Sequence, residues 1–384
     1  MRILFAADVC FNDFKGKATP ETAYSVMGNT ASVFGGCDFS IINLENMIGD
    51  KNLYTPIVKT GPNLISDESF MSFIDVLKPT ALGLANNHLF DYGNEAFIGT
   101  AGLLKAKGYL YAGAGQNIDE AYKPLEFTLD GERASVFCVC ENEFGIATDE
   151  KAGAAGYSLT KVTRAIKSAR EKGFFPIIYF HGGNEHNPFP SPKKIELYRH
   201  FADMGAGAVI AMHTHCPQGY EIYSGVPIIY SMGNFFFPEE SPVVKSWNYG
   251  YMTMLSIKDG QADIEIIPYR FDFGHHSLLE GKEKEDFFTY LKVLSKDINN
   301  ERLMKQYFDA WCRIAGLYGY LNLAKYTPDM LDGDKEKIKE FKNLFSCEAH
   351  NELINTCATL IYENRIDEAR QYEEYIRKLQ NMTI

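Results

Sequence analysis

The sequence predicts an α/β layered fold with a C-terminal α-helical extension. Three features carry this reading. Strand-like apolar runs alternate with amphipathic helical segments through the first two-thirds of the chain. A stretch of strands joined by short turns follows, from Gly225 to Tyr269. After about His275 glycine becomes scarce while Lys, Glu, Tyr and Leu become frequent.

The first run, Ile3-Leu4-Phe5-Ala6-Ala7, ends in Asp8 and reads as a buried strand; it is too short for a signal peptide. The second, Phe39 to Leu44, ends in Glu45. Lys51 to Asn63 lacks periodicity and reads as a loop able to shape a pocket. Ser66 to Leu77 is predicted helical, with Phe70, Phe73, Ile74 and Leu77 at i, i+3, i+4 and i+7 and Pro79 stopping it. Leu82-Gly83-Leu84-Ala85 leads into Asn86-Asn87-His88. A helix from Asn94 to Lys107 takes Asn94 as N-cap and Gly108 as its stop. Cys138 and Cys140 share a face of a predicted strand and read as buried thiols. Thr160–Lys172 and Pro192–Met204 are further helices. Pro176 to Phe180 ends in His181, and Ala208 to Met212 in His213-Thr214-His215. Val226–Tyr230, Tyr251–Lys258 and Ala262–Pro268 are strands, with Asp259-Gly260 turning the last two into a hairpin. Five helices are expected in the tail, at 283–297, 300–319, 335–345, 347–363 and 366–380. The division is therefore a core over residues 1–274 and a helical cap over 275–384.

The chain has 384 residues, a net charge of −12 and a pI near 5.3. So acidic a protein gains no counterion-release term from a phosphate backbone, which argues against general nucleic-acid binding. No apolar run is long enough to span a bilayer. Without a visible signal or anchor, the expected location is the cytoplasm. Eight cysteines with no C-x-x-C are weak evidence for disulfides. Oligomeric state is not legible.

The chemistry lies at the strand ends, which converge on one crevice in an open α/β sheet. Carboxylates, imidazoles and one amide suit a divalent metal such as manganese, iron or zinc, as one ion or two. The expected ligands are Asp8, Glu45, Asn87, His181, His213 and His215, with Glu45 bridging. His213 and His215, two apart on an extended strand end, would point the same way. His88 is the candidate general acid, oriented by Asp91. Glu185 fits a hydrogen bond to a ligating histidine or a plain loop position. Taken singly, Asp8 suits a cap, Asn86-Asn87 a turn and His181 a structural histidine; the joint pattern argues for a metal. His186 is either a further pocket residue or a surface position, and the His275-His276 pair reads as surface or interdomain.

Asp8, Asn43-Leu44-Glu45, Ala85-Asn86-Asn87-His88 with Asp91-Tyr92-Gly93, Gly113-Ala114-Gly115, His181-Gly182-Gly183-Asn184-Glu185, His213-Thr214-His215 with Gln218 and Glu221, and Tyr230-Ser231-Met232-Gly233-Asn234-Phe235 together resemble the CapA family. These are bacterial capsule and poly-γ-glutamate synthesis proteins on a calcineurin-like metallophosphatase fold. The resemblance covers about residues 1–240 and extends toward 272. It implies a four-layer α/β-β/α sandwich with metal at the sheet ends, supporting or substrate-binding roles for Asn43, Glu221 and Asn234, and a small-molecule or acidic-polymer substrate, either poly-γ-glutamate or a phosphoester. Two functions follow: a metal-dependent hydrolase, or a non-catalytic polyanion-binding or assembly component with a degenerate site. Departures bear on the choice. The first motif reads Asp8-Val9-Cys10 where the wider pattern has Asp-x-His. Glu45 replaces an Asp. Gly182-Gly183 removes an aromatic wall that relatives place after the histidine.

Overall fold

Arg2–Val9 is an inner strand of the larger of two main sheets because its apolar run is buried on both faces. The computed structural model describes residues 1–59, 61–320 and 332–383. The larger sheet runs in the order His276–Leu278, Gln261–Phe271, Tyr249–Lys258, Arg2–Val9, Phe39–Leu44, Ala81–Gly83, Leu110–Ala112, with Asn234–Phe236 also pairing to the end of Arg2–Val9. Pairing is parallel from Arg2–Val9 toward Leu110–Ala112 and antiparallel on the other side. The second sheet runs Tyr220–Tyr223, Val226–Ile229, Ala208–Met212, Phe175–His181, Glu132–Cys140, Leu125–Leu129. Its four inner strands are parallel and its edges antiparallel.

The sheets face each other through aromatic side chains. Phe5 lies 5.7 Å from the Tyr179 ring, Phe39 stacks on Phe127 at 3.9 Å, and the Tyr179 hydroxyl donates to the Ala6 carbonyl. Gly83 is needed here, since a Cβ would come within 2.7 Å of the Tyr179 ring. Phe180, on the opposite face of its strand, packs on Tyr198 and Phe201 of helix Pro192–Asp203. Helices Pro20–Gly35 and Met71–Leu77 pack together on the first sheet, and Leu159–Glu171 joins Pro192–Asp203 on the second. The layers are therefore helix, sheet, sheet, helix: the four-layer sandwich implied above, with a helical extension.

Most predicted elements appear within a few residues. The Ser66–Leu77 segment divides into a 3₁₀ turn, Glu68–Phe70, and helix Met71–Leu77. Asp259 and Gly260 adopt φ of +51° and +74°, the left-handed pair that a two-residue hairpin requires. Helix Gly93–Ala106 corrects the expected cap: Tyr92 is its N-cap, and Asn94 lies inside the first turn. Helix Pro20–Gly35 was not anticipated, although Thr19 caps it and Pro20 opens it. The first sheet continues through His276–Leu278, beyond position 274. His276 is buried, contrary to the surface reading: its ring lies 4.4 Å from Phe235 and 4.6 Å from Tyr269, and Nδ1 bonds Thr30 Oγ1 at 2.8 Å. His275 is exposed.

The tail forms helices Gly281–Ser295, Glu301–Ala315, Lys335–Ser346, Glu348–Tyr362 and Glu373–Gln380. It packs on the core: Phe189 stacks on Tyr307 at 4.7 Å, and Glu348 accepts from the Asn142 backbone and side chain at 3.0 and 2.5 Å. Among the described residues no helix is long and apolar enough to cross a membrane, and all eight cysteines are free.

Candidate metal centre

The strand order sets the ends of Arg2–Val9 and Phe39–Leu44 against those of Phe175–His181 and Ala208–Met212. Around Asp8 the ladder is irregular, with register shifts on both sides. Asp8 Oδ1 accepts from Asn43 Nδ2 at 2.7 Å, and Oδ2 accepts from the His213 backbone N–H at 2.9 Å. Glu45 directly follows its strand and is fixed by its own N–H to the Val9 carbonyl at 2.9 Å. His181 Nε2 lies 3.1 Å from Glu45 Oε1 and 3.6 Å from Asp8 Oδ1; His213 Nδ1 is 4.0 Å from Glu45 Oε1. Donor atoms of Glu45, His181 and His213 lie within 4.8 Å of one another, as do those of Asp8, Glu45 and His215, and those of Glu185, His213 and His215. These overlapping groups join Asp8, Glu45, His181, His213 and His215 in one site, with Glu185 at its edge.

The two histidines reach it by a different route from the one expected. The strand stops at Met212, and His213 and His215 adopt φ of +99° and +54° rather than an extended conformation. Such backbone costs of order 1–3 kcal/mol per residue and persists only where the surroundings impose it. Here Asp8 binds the His213 N–H, and Asn234 Oδ1 pairs with His215 Nδ1 at 2.7 Å.

Burial pushes the Asp8 carboxyl up to about 7, against the opposing bonds from Asn43 and His213. It raises Glu45 well above the usual range, reinforced by Asp8 and Glu185. Burial likewise lowers His181 and His213 well below the ordinary histidine value and His215 to about 4. Neutral imidazoles beside carboxylates that resist ionisation describe a site arranged to receive positive charge. Its ligand atoms are also unspent: both Glu45 oxygens, His181 Nε2, His213 Nδ1 and Asn87 Oδ1 are buried without a hydrogen-bond partner. Buried polar atoms are normally paired, so this donor set fits a divalent cation.

His88 stands beside this group, close enough to act electrostatically on His181 and His215. Its Nδ1 is 2.7 Å from Asp91 Oδ2 and 3.0 Å from Lys59 Nζ, and Lys59 pairs with Asp91 Oδ1 at 2.5 Å. Asp91 is fully buried and also accepts from the Leu64 N–H at 2.8 Å. It therefore holds the His88 ring through Nδ1 and leaves Nε2 for other work.

Several positions differ from expectation. Glu221 does not join the site: Arg199 binds both its oxygens at 2.9 and 2.8 Å and Tyr230 donates to it at 2.7 Å. The Cys10 thiol is buried and pushed well above its usual value by burial, and it stands in none of the donor groups. An aromatic wall is present after all, from elsewhere in the chain: Trp247 lies 4.6 Å from the His215 ring and 5.8 Å from His186. His186 is consequently part of the site's surroundings, half-buried rather than free at the surface. Donor groups also come from the tail: Cys347 and His350 group with Glu143, and His350 Nε2 is 3.4 Å from Glu143 Oε1. Burial alone would raise the Glu143 carboxyl; the His350 and His213 imidazoles and a bond from Asn87 hold it below its usual value. Glu141 and Glu143 escaped the sequence reading, although they follow the strand Glu132–Cys140 as Glu45 follows Phe39–Leu44. Lys59 lies in the loop expected to shape a pocket.

A model of the family described as bacterial capsule synthesis protein PGA_cap matches residues 2–239. The PGA biosynthesis protein CapA of Bacillus subtilis (strain 168) is 23% identical over 319 residues, covering 77% of this chain and 78% of that protein. The capsule biosynthesis protein CapA of Bacillus anthracis is 25% identical over 232 residues, covering 59% of this chain and 54% of that protein. Among solved structures, the 5′-nucleotidase precursor of Thermus thermophilus aligns with a TM-score of 0.42 and 11% identity over 79% of this chain and 60% of that one.

Proposed function

The chain belongs to the bacterial capsule synthesis protein family PGA_cap, and we propose that it is a metal-dependent hydrolase of capsule or poly-γ-glutamate metabolism, cleaving a phosphoester or a γ-glutamyl amide. The observation that supports this most is the set of buried, unpartnered donor atoms on Glu45, His181, His213 and Asn87. With Asp8 and His215 they would hold one or two ions of manganese, iron or zinc, which when bound supply a water of lowered pKa and positive charge for the substrate's oxygen.

The chain's own residues do the rest. Asn43 orients Asp8 and Asn234 orients His215. Glu45, with two unpaired oxygens, is the carboxylate suited to bridging. His88 protonates the leaving atom through Nε2, with Asp91 fixing its ring and Lys59 fixing Asp91. Trp247 and Phe237, whose rings sit 5.3 Å apart, shield His215 from water.

The second reading is a non-catalytic polyanion-binding or assembly component. Cys10 favours it, because its protonated buried thiol supplies no ligand where the wider pattern has a histidine. Metal stoichiometry after gentle purification, followed by turnover with manganese against phosphoesters, cyclic nucleotides and γ-glutamyl peptides, separates the two. Tightly bound metal and metal-stimulated turnover support the hydrolase. No tightly bound transition metal and no gain with manganese would leave the binding component.

A further inference from the structure

A cleft of about 560 Å³ lies between the core and the tail helix Lys335–Ser346, within the size range of small-ligand sites. It adjoins the metal centre. One wall carries Phe90, between His88 and Asp91 in sequence, and Glu143, close enough to His213 and Asn87 for both to act on its carboxyl. Another carries Phe144, whose ring lies 5.4 Å from Lys59 Nζ, the group that holds Asp91.

Its charge runs against that of the molecule. In a chain of net charge −12, Lys151 from the core and Lys339 and Lys342 from the tail line the cleft. All three are exposed, and none is in an ion pair among the described residues. Two carboxylates also line it: Glu143, which faces His350, and Glu150. Lys339 and Lys342 are three apart on one helix and so lie on one face; Lys151 approaches from the core. Cations spaced along two walls of a space much larger than a single phosphate suit an extended ligand with repeating negative charge.

We propose that this cleft is a binding subsite for an anionic polymer bearing repeated carboxylates, which the tail lysines hold while one end of the chain reaches the metal centre. The proposal rests on the functional reading above for its choice of polymer, and it assigns the helical tail, which lies outside the family match, a part in substrate selection.

The test uses the full chain, a γ-linked glutamyl pentamer, and the same pentamer with its free α-carboxylates amidated. Binding is read by calorimetry at two salt concentrations, alongside metal content and turnover of a small phosphoester. Unmodified protein is expected to bind the carboxylate form at least about tenfold more tightly than the amidated form, with affinity falling as salt rises. K339Q/K342Q is expected to weaken binding about tenfold, and K339E/K342E further, without changing metal content or small-ester turnover. Both positions are exposed, so the folded state should tolerate either change. Equal affinity for the two pentamers, or unchanged affinity in both variants, would overturn the subsite. If the pentamer fails to bind while inorganic phosphate binds and depends on the lysines, the cleft is a phosphate site and the polymer assignment is wrong. Failure of the hydrolase reading looks different: the lysines would still govern pentamer binding, with no substrate turned over.

Discussion

His88 is held by Asp91, which Lys59 pairs, and by none of the proposed ligands, so its removal should separate proton transfer from metal binding. His88→Ala is expected to retain its metal and to lose turnover by roughly 10²–10⁴-fold, most severely for poor leaving groups. A metal content that fell in step with activity would make His88 a ligand. His276 offers a test of pH dependence away from the site. Burial lowers it to about 3, against about 6.5 when unfolded. Between those values the unfolded chain takes up a proton that the folded chain refuses. The stability contribution is therefore complete above pH 6.5 and declines on acidification, by about 1.4 kcal/mol per pH unit. His276→Phe should lessen this slope, to which the buried His181, His213 and His215 also contribute, in urea midpoints measured from pH 7 to 4; an unchanged slope would mean that His276 contributes nothing. The grouping of Asp8, Glu45, His181, His213 and His215 was legible because each follows a strand-like apolar run. Spacing alone hid the left-handed backbone at His213 and His215, which depends on Asp8 and Asn234 more than 15 residues away. It also hid the Glu143–His350 contact, which exists only once the tail docks.

At the scale of elements, helix caps show where local signals acquire a second role. Ser158 and Ser191 both cap helices, accepting from Lys161 and Lys194 backbone N–H groups. Ser191 Oγ also donates to Glu352 Oε2 of the tail helix Glu348–Tyr362 at 2.6 Å, where Glu352 is largely buried. Ser158→Ala should cost about 1 kcal/mol, as an ordinary cap does. Ser191→Ala should cost about 1–3 kcal/mol more, because it leaves the buried Glu352 Oε2 without its donor while only the Lys193 N–H still binds Oε1. Equal losses in urea unfolding would show that the tail contact adds nothing. The helices were mostly legible from their apolar stripes and the hairpin from Asp259-Gly260. Pro20–Gly35 was not recognised although Ala23, Val26, Met27, Thr30 and Phe34 form its buried stripe; the polar Thr30 in that stripe, bonded to His276, obscures the period. Asn94 failed as a cap because Gly93, at φ +76°, is where the helix turns in.

For the molecule as a whole, the question is whether the tail is a separate body or a cap. Its buried side chains include Phe287, Tyr290, Leu294, Met304, Tyr307, Phe308 and Trp311, while Phe288 beside them is exposed. Polar contacts act as well: Tyr290 ties the tail to itself through the Leu379 carbonyl, and toward the core Gln380 donates to the His186 carbonyl and Glu348 binds Asn142. Two of these reach loops beside the proposed metal centre, at His186 and Asn142. We therefore treat residues after Leu278 as a cap that depends on the core. A cut at 274 would also remove His276 from beneath Phe235 and Tyr269, so the informative truncation ends at Glu280. All six proposed ligands remain in that chain, yet the face covered by the tail is laid bare, and Asn142 and His186 lose their tail partners. Burial of each large apolar side chain contributes about 1.5–3 kcal/mol, so exposing several should cause self-association. The truncated protein is expected to aggregate in light scattering. Whatever fraction remains folded should keep metal above half the full-length stoichiometry while losing discrimination between long and short substrates. A monomeric, soluble product as selective as the full chain would make the tail an independent module and would remove it from the substrate cleft.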